Sequence, residues 1–147
     1  MNQNKELVKI LEDVAQYVID GTFIIAQGIA CLRDSSLRDG LTKIKDKYEE
    51  GVEKLSDLIV NYGGKAPEHT RDFKGFFMQG YTGMRGLISD QGVMKALATN
   101  TKMFVTAFET ALKNVNISDE IQTVLQDMLD EAKQHLDYFN NKSENSS

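Results

Sequence analysis

The chain is poor in the residues that build most disulfide, metal and catalytic sites. Its 147 residues include one proline, one cysteine, two histidines and no tryptophan. The single Cys31 excludes an internal disulfide and any cluster of several cysteines. His69 and His135 lie far apart in sequence, so a Ser-His-Asp or Cys-His arrangement has little to build on. We therefore expect Cys31 to be a small packed side chain and His69 to be a solvated loop residue.

Basic character, signal-peptide features and long apolar runs are also lacking. The net charge is −5, which argues against a general grip on nucleic acid because that needs a basic face. No continuous apolar run approaches the roughly 18 residues of a membrane span, and the first residues form no apolar signal core. We expect a cytoplasmic protein that binds neither nucleic acid nor membrane. The glycines form neither G-x-G-x-x-G nor a P-loop, so nothing predicts a nucleotide cofactor.

The one proline marks a break between two helical halves. It follows a double glycine in the segment Gly63-Gly64-Lys65-Ala66-Pro67. Glycine supplies the left-handed backbone that ends a helix, and a proline shortly afterwards prevents its continuation. The chain should therefore be helical on both sides, with a stop near residue 63.

Apolar residues recur at spacings of three and four over four long segments, which is typical of amphipathic helices. These segments run over about 5–32, 35–62, 91–115 and 118–139. The order predicts an all-α, ferritin-like four-helix bundle with a long helical crossover between helices two and three. We expect a single domain over 1–147, with a core over 5–139 and a polar, disordered tail over 140–147.

The predicted crossover, residues 70–88, combines large apolar side chains with four glycines. Glycine weakens a helix by about 1 kcal/mol relative to alanine, so this helix should form only where it docks. Its apolar residues either cap the bundle core or form an interaction surface with a partner or a second copy. The predicted interaction residues are Phe73, Phe76, Phe77, Tyr81 and Met84.

A ferritin-like bundle raises the question of a di-metal carboxylate site. Such sites need Glu-x-x-His pairs that project inward, and this sequence contains none. The nearest match is Glu131 with His135, four residues apart. The weaker alternative is a divergent iron or manganese site with the ligands Glu50, Glu53, Glu109, Glu131 and His135. These acids, and Asp20 on helix one, fall at the edges of the apolar stripes.

Several short motifs resemble a bacterial ferritin-like four-helix-bundle family of unknown function. They are Asp34-Ser35-Ser36-Leu37, the Gly63-Gly64 turn with Pro67, the segment from Lys74 to Tyr81, Leu87-Ile88 and the segment from Ala107 to Leu112. The resemblance spans roughly residues 5–139. It implies a ferritin-like bundle in a bacterial cytoplasm with stress- or metal-related roles.

Together these features predict a non-enzymatic bundle that acts as a binding or structural module, self-associates as a dimer and needs no cofactor. One alternative is an oxidase or metal-storage protein that uses the iron or manganese site above. The other is a helical protein that binds a partner through the crossover face.

Overall fold

The computed structural model describes residues 2–68, 87, 89–114 and 117–145. These residues form four helices and no strand, in agreement with the predicted all-α class. The helices are α1 (Asn2–Cys31), α2 (Ser35–Asn61), α3 (Asp90–Leu112) and α4 (Asp119–Asn145). The predicted interaction residues of the crossover and His69 lie outside the described residues.

Three helices begin with a side-chain cap. The Leu37 amide donates to the Asp34 carboxylate at 3.1 Å at the start of α2. The Gly92 amide donates to the Ser89 hydroxyl at 3.0 Å at the start of α3. The Ile121 amide donates to Ser118 Oγ at 3.3 Å at the start of α4. Each cap satisfies an amide that has no partner within its own helix.

The double glycine ends α2 as the sequence predicts. Gly63 has a φ of 92°, a conformation that residues with a side chain rarely adopt. The Gly64 amide donates to the Ile59 carbonyl at 2.8 Å, and the Gly63 amide donates to the Val60 carbonyl at 3.0 Å. This pair of bonds is a Schellman motif, so the stop is built from backbone geometry.

Two polar contacts show the relative directions of the helices. The Asp90 carboxylate, at the start of α3, accepts the backbone amides of Arg33 and Asp34 at 2.9 and 3.0 Å. At the other end, the hydroxyls of Tyr62 and Ser118 lie 2.6 Å apart. The end of α2 and the start of α3 therefore lie at opposite ends of the bundle. Since α1 packs against α2 and α3, and α4 packs against α3 and α2, neighbouring helices are antiparallel.

The core is one apolar cluster that draws on all four helices. On α3 and α4 the predicted stripes are confirmed, since residues from Met94 to Ala111 and from Ile121 to Phe139 fill the interior at helical spacing. Tyr17 on α1 follows Val14 at a spacing of three, as a residue of the apolar stripe would, but its side chain is 39% exposed. The neighbours Val14 and Val18 are buried instead, so the inward face of α1 lies slightly to one side of Tyr17.

The fourth helix is longer than its apolar stripe. We expected a disordered tail from Asn140, but α4 continues to Asn145. Phe139 is fully buried and anchors the last turns. Lys142 lies in the final turn, where a cation stabilises the negative end of the helix dipole.

By length and composition, α1 could cross a membrane over Lys5–Cys31. Its mean hydropathy is high although charged residues interrupt it. The core helix of a water-soluble bundle passes the same test, and half of this segment is buried by the other helices.

Candidate functional site

A small polar cluster formed by Tyr48, Thr101 and His135 lies near the middle of the bundle, where α2, α3 and α4 meet. The Tyr48 ring contacts Phe104 edge to face, with centroids 5.6 Å apart. It also contacts the imidazole of His135 at 5.2 Å. Tyr48 is 7% exposed, while His135 is half-buried at the edge. The predicted metal candidate His135 is thus a neighbour of Tyr48, a residue that the sequence analysis did not single out.

Burial sets the protonation of this cluster. It raises the pKa of the Tyr48 hydroxyl well above its ordinary value, with a smaller contribution from Glu131, while the nearby Thr101 side chain partly opposes the rise. Burial, with a smaller contribution from the charge of Lys47, lowers the pKa of His135 to about 4. Both side chains are therefore neutral at pH 7.

Two polar atoms of the Tyr48–His135 pair have no hydrogen-bond partner of good geometry in the described part of the chain. The Tyr48 hydroxyl and His135 Nδ1 are both buried and unpaired. The neighbouring Thr101 hydroxyl donates to the Leu97 carbonyl at 2.7 Å. A buried polar group without a partner costs about 1–3 kcal/mol, so the cluster lowers stability.

The carboxylates of the alternative metal set do not gather at this cluster. Glu131 is half-buried one turn before His135, whereas the side chains of Glu50, Glu53 and Glu109 are exposed. Among the described residues no group of three or more His, Cys, Asp or Glu side chains could hold a metal ion. The interior position between the helices is occupied by the rings of Tyr48 and Phe104. The described residues of the four helices thus do not fit the di-metal pattern.

Asp20 is the acidic residue that sequence reasoning misplaced. It was expected at the stripe edge, but it is 2% exposed. Its carboxylate accepts a hydrogen bond from Gln16 Nε2 at 2.9 Å. The sequence feature that could have indicated its burial is its position between Ile19 and Gly21. A glycine beside Asp20 lets helix α3 approach α1 closely.

A groove of about 870 Å³ runs between α1 and α3. Two of the three large apolar side chains that are exposed among the described residues lie in it, Tyr17 at 39% and Met103 at 40%. Ile10 and Ala107 add to its apolar lining, and Asp20 lies at its base. This groove offers an apolar contact surface on the described helices.

A second groove, of about 640 Å³, runs between α1 and α2. Its floor is apolar and its α2 wall is acidic. The floor comprises Ile19, Phe23, Ala26 and Val52. The α2 wall carries Asp46, Glu49, Glu50, Glu53 and Lys45. The two grooves thus differ in character, the first apolar and the second acidic along one side.

Cys31 is half-buried at the end of α1. Its sulfur accepts a hydrogen bond from Gln27 Nε2 at 3.6 Å. The expected packing role agrees with this position.

Comparison with known proteins gives a family but no activity. No curated protein matches this chain. One family model matches residues 6–114, which cover α1, α2, the connection and α3. The fourth helix, with Glu131 and His135, lies outside that match. The chain therefore belongs to the family described as domain of unknown function (DUF2383).

Proposed function

We propose that this protein is a ferritin-like, non-enzymatic binding module that self-associates through the groove between α1 and α3. The antiparallel order of neighbouring helices supports the ferritin-like topology. So does the long connection from the end of α2 to the start of α3 at the opposite end. The family match covers that connection but carries no reaction.

The observation that carries the proposal is the pair of exposed apolar side chains in one groove. Tyr17 projects from α1 and Met103 from α3, and both line this groove. Exposed large apolar groups that cluster on a surface mark contact sites, whereas single ones need no explanation. A second copy that covers both side chains would remove apolar surface from water in each subunit.

The rim charges of this groove suit a second copy. Asp13 lies on the α1 wall and Lys113 on the α3 wall. The antiparallel register that sets Gly21 against Phe104 brings these two residues to a similar height. A two-fold axis parallel to the groove would then place each Asp13 opposite the partner's Lys113. Asp13 also pairs with Lys9 at 3.7 Å, an exposed contact that contributes little.

Sedimentation velocity over a range of protein concentrations tests the proposal. We expect a dimer in the native protein and a shift toward monomer in Met103→Lys and Tyr17→Ser. The matched control is Val60→Lys, because Val60 is 54% exposed and does not line the groove. A native protein that stays monomeric at high concentration would refute self-association. Equal loss in the control would refute this groove as its site.

The metal-free part of the proposal has its own test. Elemental analysis of protein expressed in medium supplemented with iron and manganese should find well under one metal ion per chain. The reason is that three of the four acids of the alternative set lie at exposed positions, while aromatic rings fill the interior. About two ions per chain, lost in Glu131→Ala or His135→Ala, would instead support a divergent metal-carboxylate protein.

A further inference from the structure

We propose that the groove between α1 and α2 binds a basic, amphipathic helical segment of another protein. The apolar floor of the groove would contact the apolar face of that segment, and the acidic α2 wall would contact its basic side chains. This site is separate from the self-association groove, so either proposal can fail alone.

The floor of the groove matches one face of a helix. Ile19, Phe23 and Ala26 follow one another at spacings of four and three along α1, and Val52 closes the floor from α2. Thr22, in the same row, donates its hydroxyl to the Val18 carbonyl at 2.9 Å, so it presents its methyl group. Grooves with such a floor accept the apolar face of an incoming helix at positions i, i+3, i+4 and i+7.

The wall supplies the charge. Asp46, Glu49, Glu50 and Glu53 repeat at spacings of three, one and three along α2, so they form a row about 10 Å long. Lys45 is the single basic residue in the lining. The balance of four acids against one base gives the lining a net charge of −3. The negative electrostatic potential of this lining attracts a cationic segment.

Two ion pairs on the acidic wall are weak enough for a cationic partner to compete with them. Lys45 contacts Glu49 at 2.6 Å, and Lys47 contacts Glu50 at 3.6 Å. The side chains in these pairs are 31–62% exposed, and exposed pairs of this kind contribute little to stability. A docked lysine or arginine can therefore replace them at small cost.

The test uses a fluorescein-labelled helical peptide whose leucines repeat every three and four residues and whose flanking positions are lysine. One control peptide has glutamate in place of lysine, and another has serine in place of leucine. Fluorescence anisotropy should show binding of the first peptide only, and that binding should weaken as salt rises.

The variant Asp46→Asn/Glu49→Gln/Glu53→Gln should bind the lysine peptide at least about tenfold more weakly. These side chains are exposed, so the fold should survive, and circular dichroism checks this. The matched control is Asp127→Asn/Asp130→Asn/Asp137→Asn, which removes three exposed acids of α4 and the same total charge. This control should retain native affinity.

Three results would overturn the proposal. The first is equal weakening in both triple variants, which would show only general attraction to an acidic protein. The second is no preference for lysine over glutamate peptides. The third is a change of oligomeric state in the groove variant without any peptide binding, which would assign the groove to a second copy.

Discussion

Tyr48 and His135 lie edge to face across the α2–α4 contact, with ring centroids 5.2 Å apart at 67°. Each carries a buried polar atom without a hydrogen-bond partner in the described part of the chain. The contact joins the helix with the acidic wall to the helix outside the family match. Two neutral polar rings thus occupy the region where the alternative prediction placed a metal site.

Acid should destabilise the protein through His135. Its pKa is about 4 in the folded state against an ordinary value of 6.5, so the unfolded chain binds the proton more tightly. The stabilising contribution is complete above pH 6.5 and is lost as the pH falls from 6.5 towards 4. Since the imidazole is only partly buried, we expect a loss of about 1–2 kcal/mol.

Urea unfolding at pH 7 and pH 4.5 measures this loss against His135→Phe. The variant keeps the other titrating residues, including Glu131 and Lys47, so their contributions largely cancel in the difference. The native protein should lose more stability than the variant over this interval. An equal loss in both proteins would show that His135 does not sense pH.

Tyr48→Phe should leave stability unchanged or raise it by up to about 1 kcal/mol. The substitution removes a buried hydroxyl that has no partner and keeps the ring against Phe104 and His135. Urea unfolding at pH 7 tests this expectation, and Tyr48→Ala, which should cost about 3–5 kcal/mol, reports the value of the ring. A clear loss in Tyr48→Phe would mean that the hydroxyl is hydrogen-bonded, either to the Thr101 side chain or to an ordered water.

Gly21→Ala should destabilise the bundle by about 1–3 kcal/mol despite the better helix propensity of alanine. A Cβ at Gly21 would overlap the Phe104 ring, which is buried and held against Tyr48. The backbones of α1 and α3 would have to separate.

The matched control is Gly51→Ala on α2. Its Cβ would come within 2.6 Å of Met128 Cε, the end of a flexible side chain that can turn away. Gly51→Ala should therefore remain within about 1 kcal/mol of the native protein. Thermal unfolding of both variants decides the matter, and equal effects would contradict a fixed Phe104 ring.

Gly63→Ala should cost about 1 kcal/mol, because φ at this position is +92° and a side chain makes that conformation unfavourable. Apart from the two residues next to Gly63, no heavy atom in the described part of the chain lies within 4 Å of the added Cβ, so the expected penalty comes from the backbone. Gly63→Asn should recover part of it, since asparagine tolerates left-handed backbone. Equal stability of the alanine and native proteins in urea would rule out this reading.

The local elements of the bundle follow from the sequence. Spacings of three and four place apolar residues on one face of a helix wherever the chain is helical. The Asp34 cap and the Gly63-Gly64 stop depend on neighbouring backbone groups only, so their residue types suffice to locate them. These local signals predicted four helices with bounds close to those observed, except that α4 continues beyond its predicted end to Asn145.

The site depends on relations between helices, which periodicity does not contain. Asp20 and Tyr17 are three residues apart on α1, yet the first is buried and the second is 39% exposed, because the position of α3 decides which side of the stripe is covered. The ring neighbours of Tyr48 come from two other helices, and only the packing of these helices brings Phe104 and His135 to its ring. The sequence by itself determined the four helices, the Asp34 cap and the Gly63-Gly64 stop. The tertiary structure decided which polar side chains lie inside and which grooves remain open, because both depend on the rotation of each helix against its neighbours.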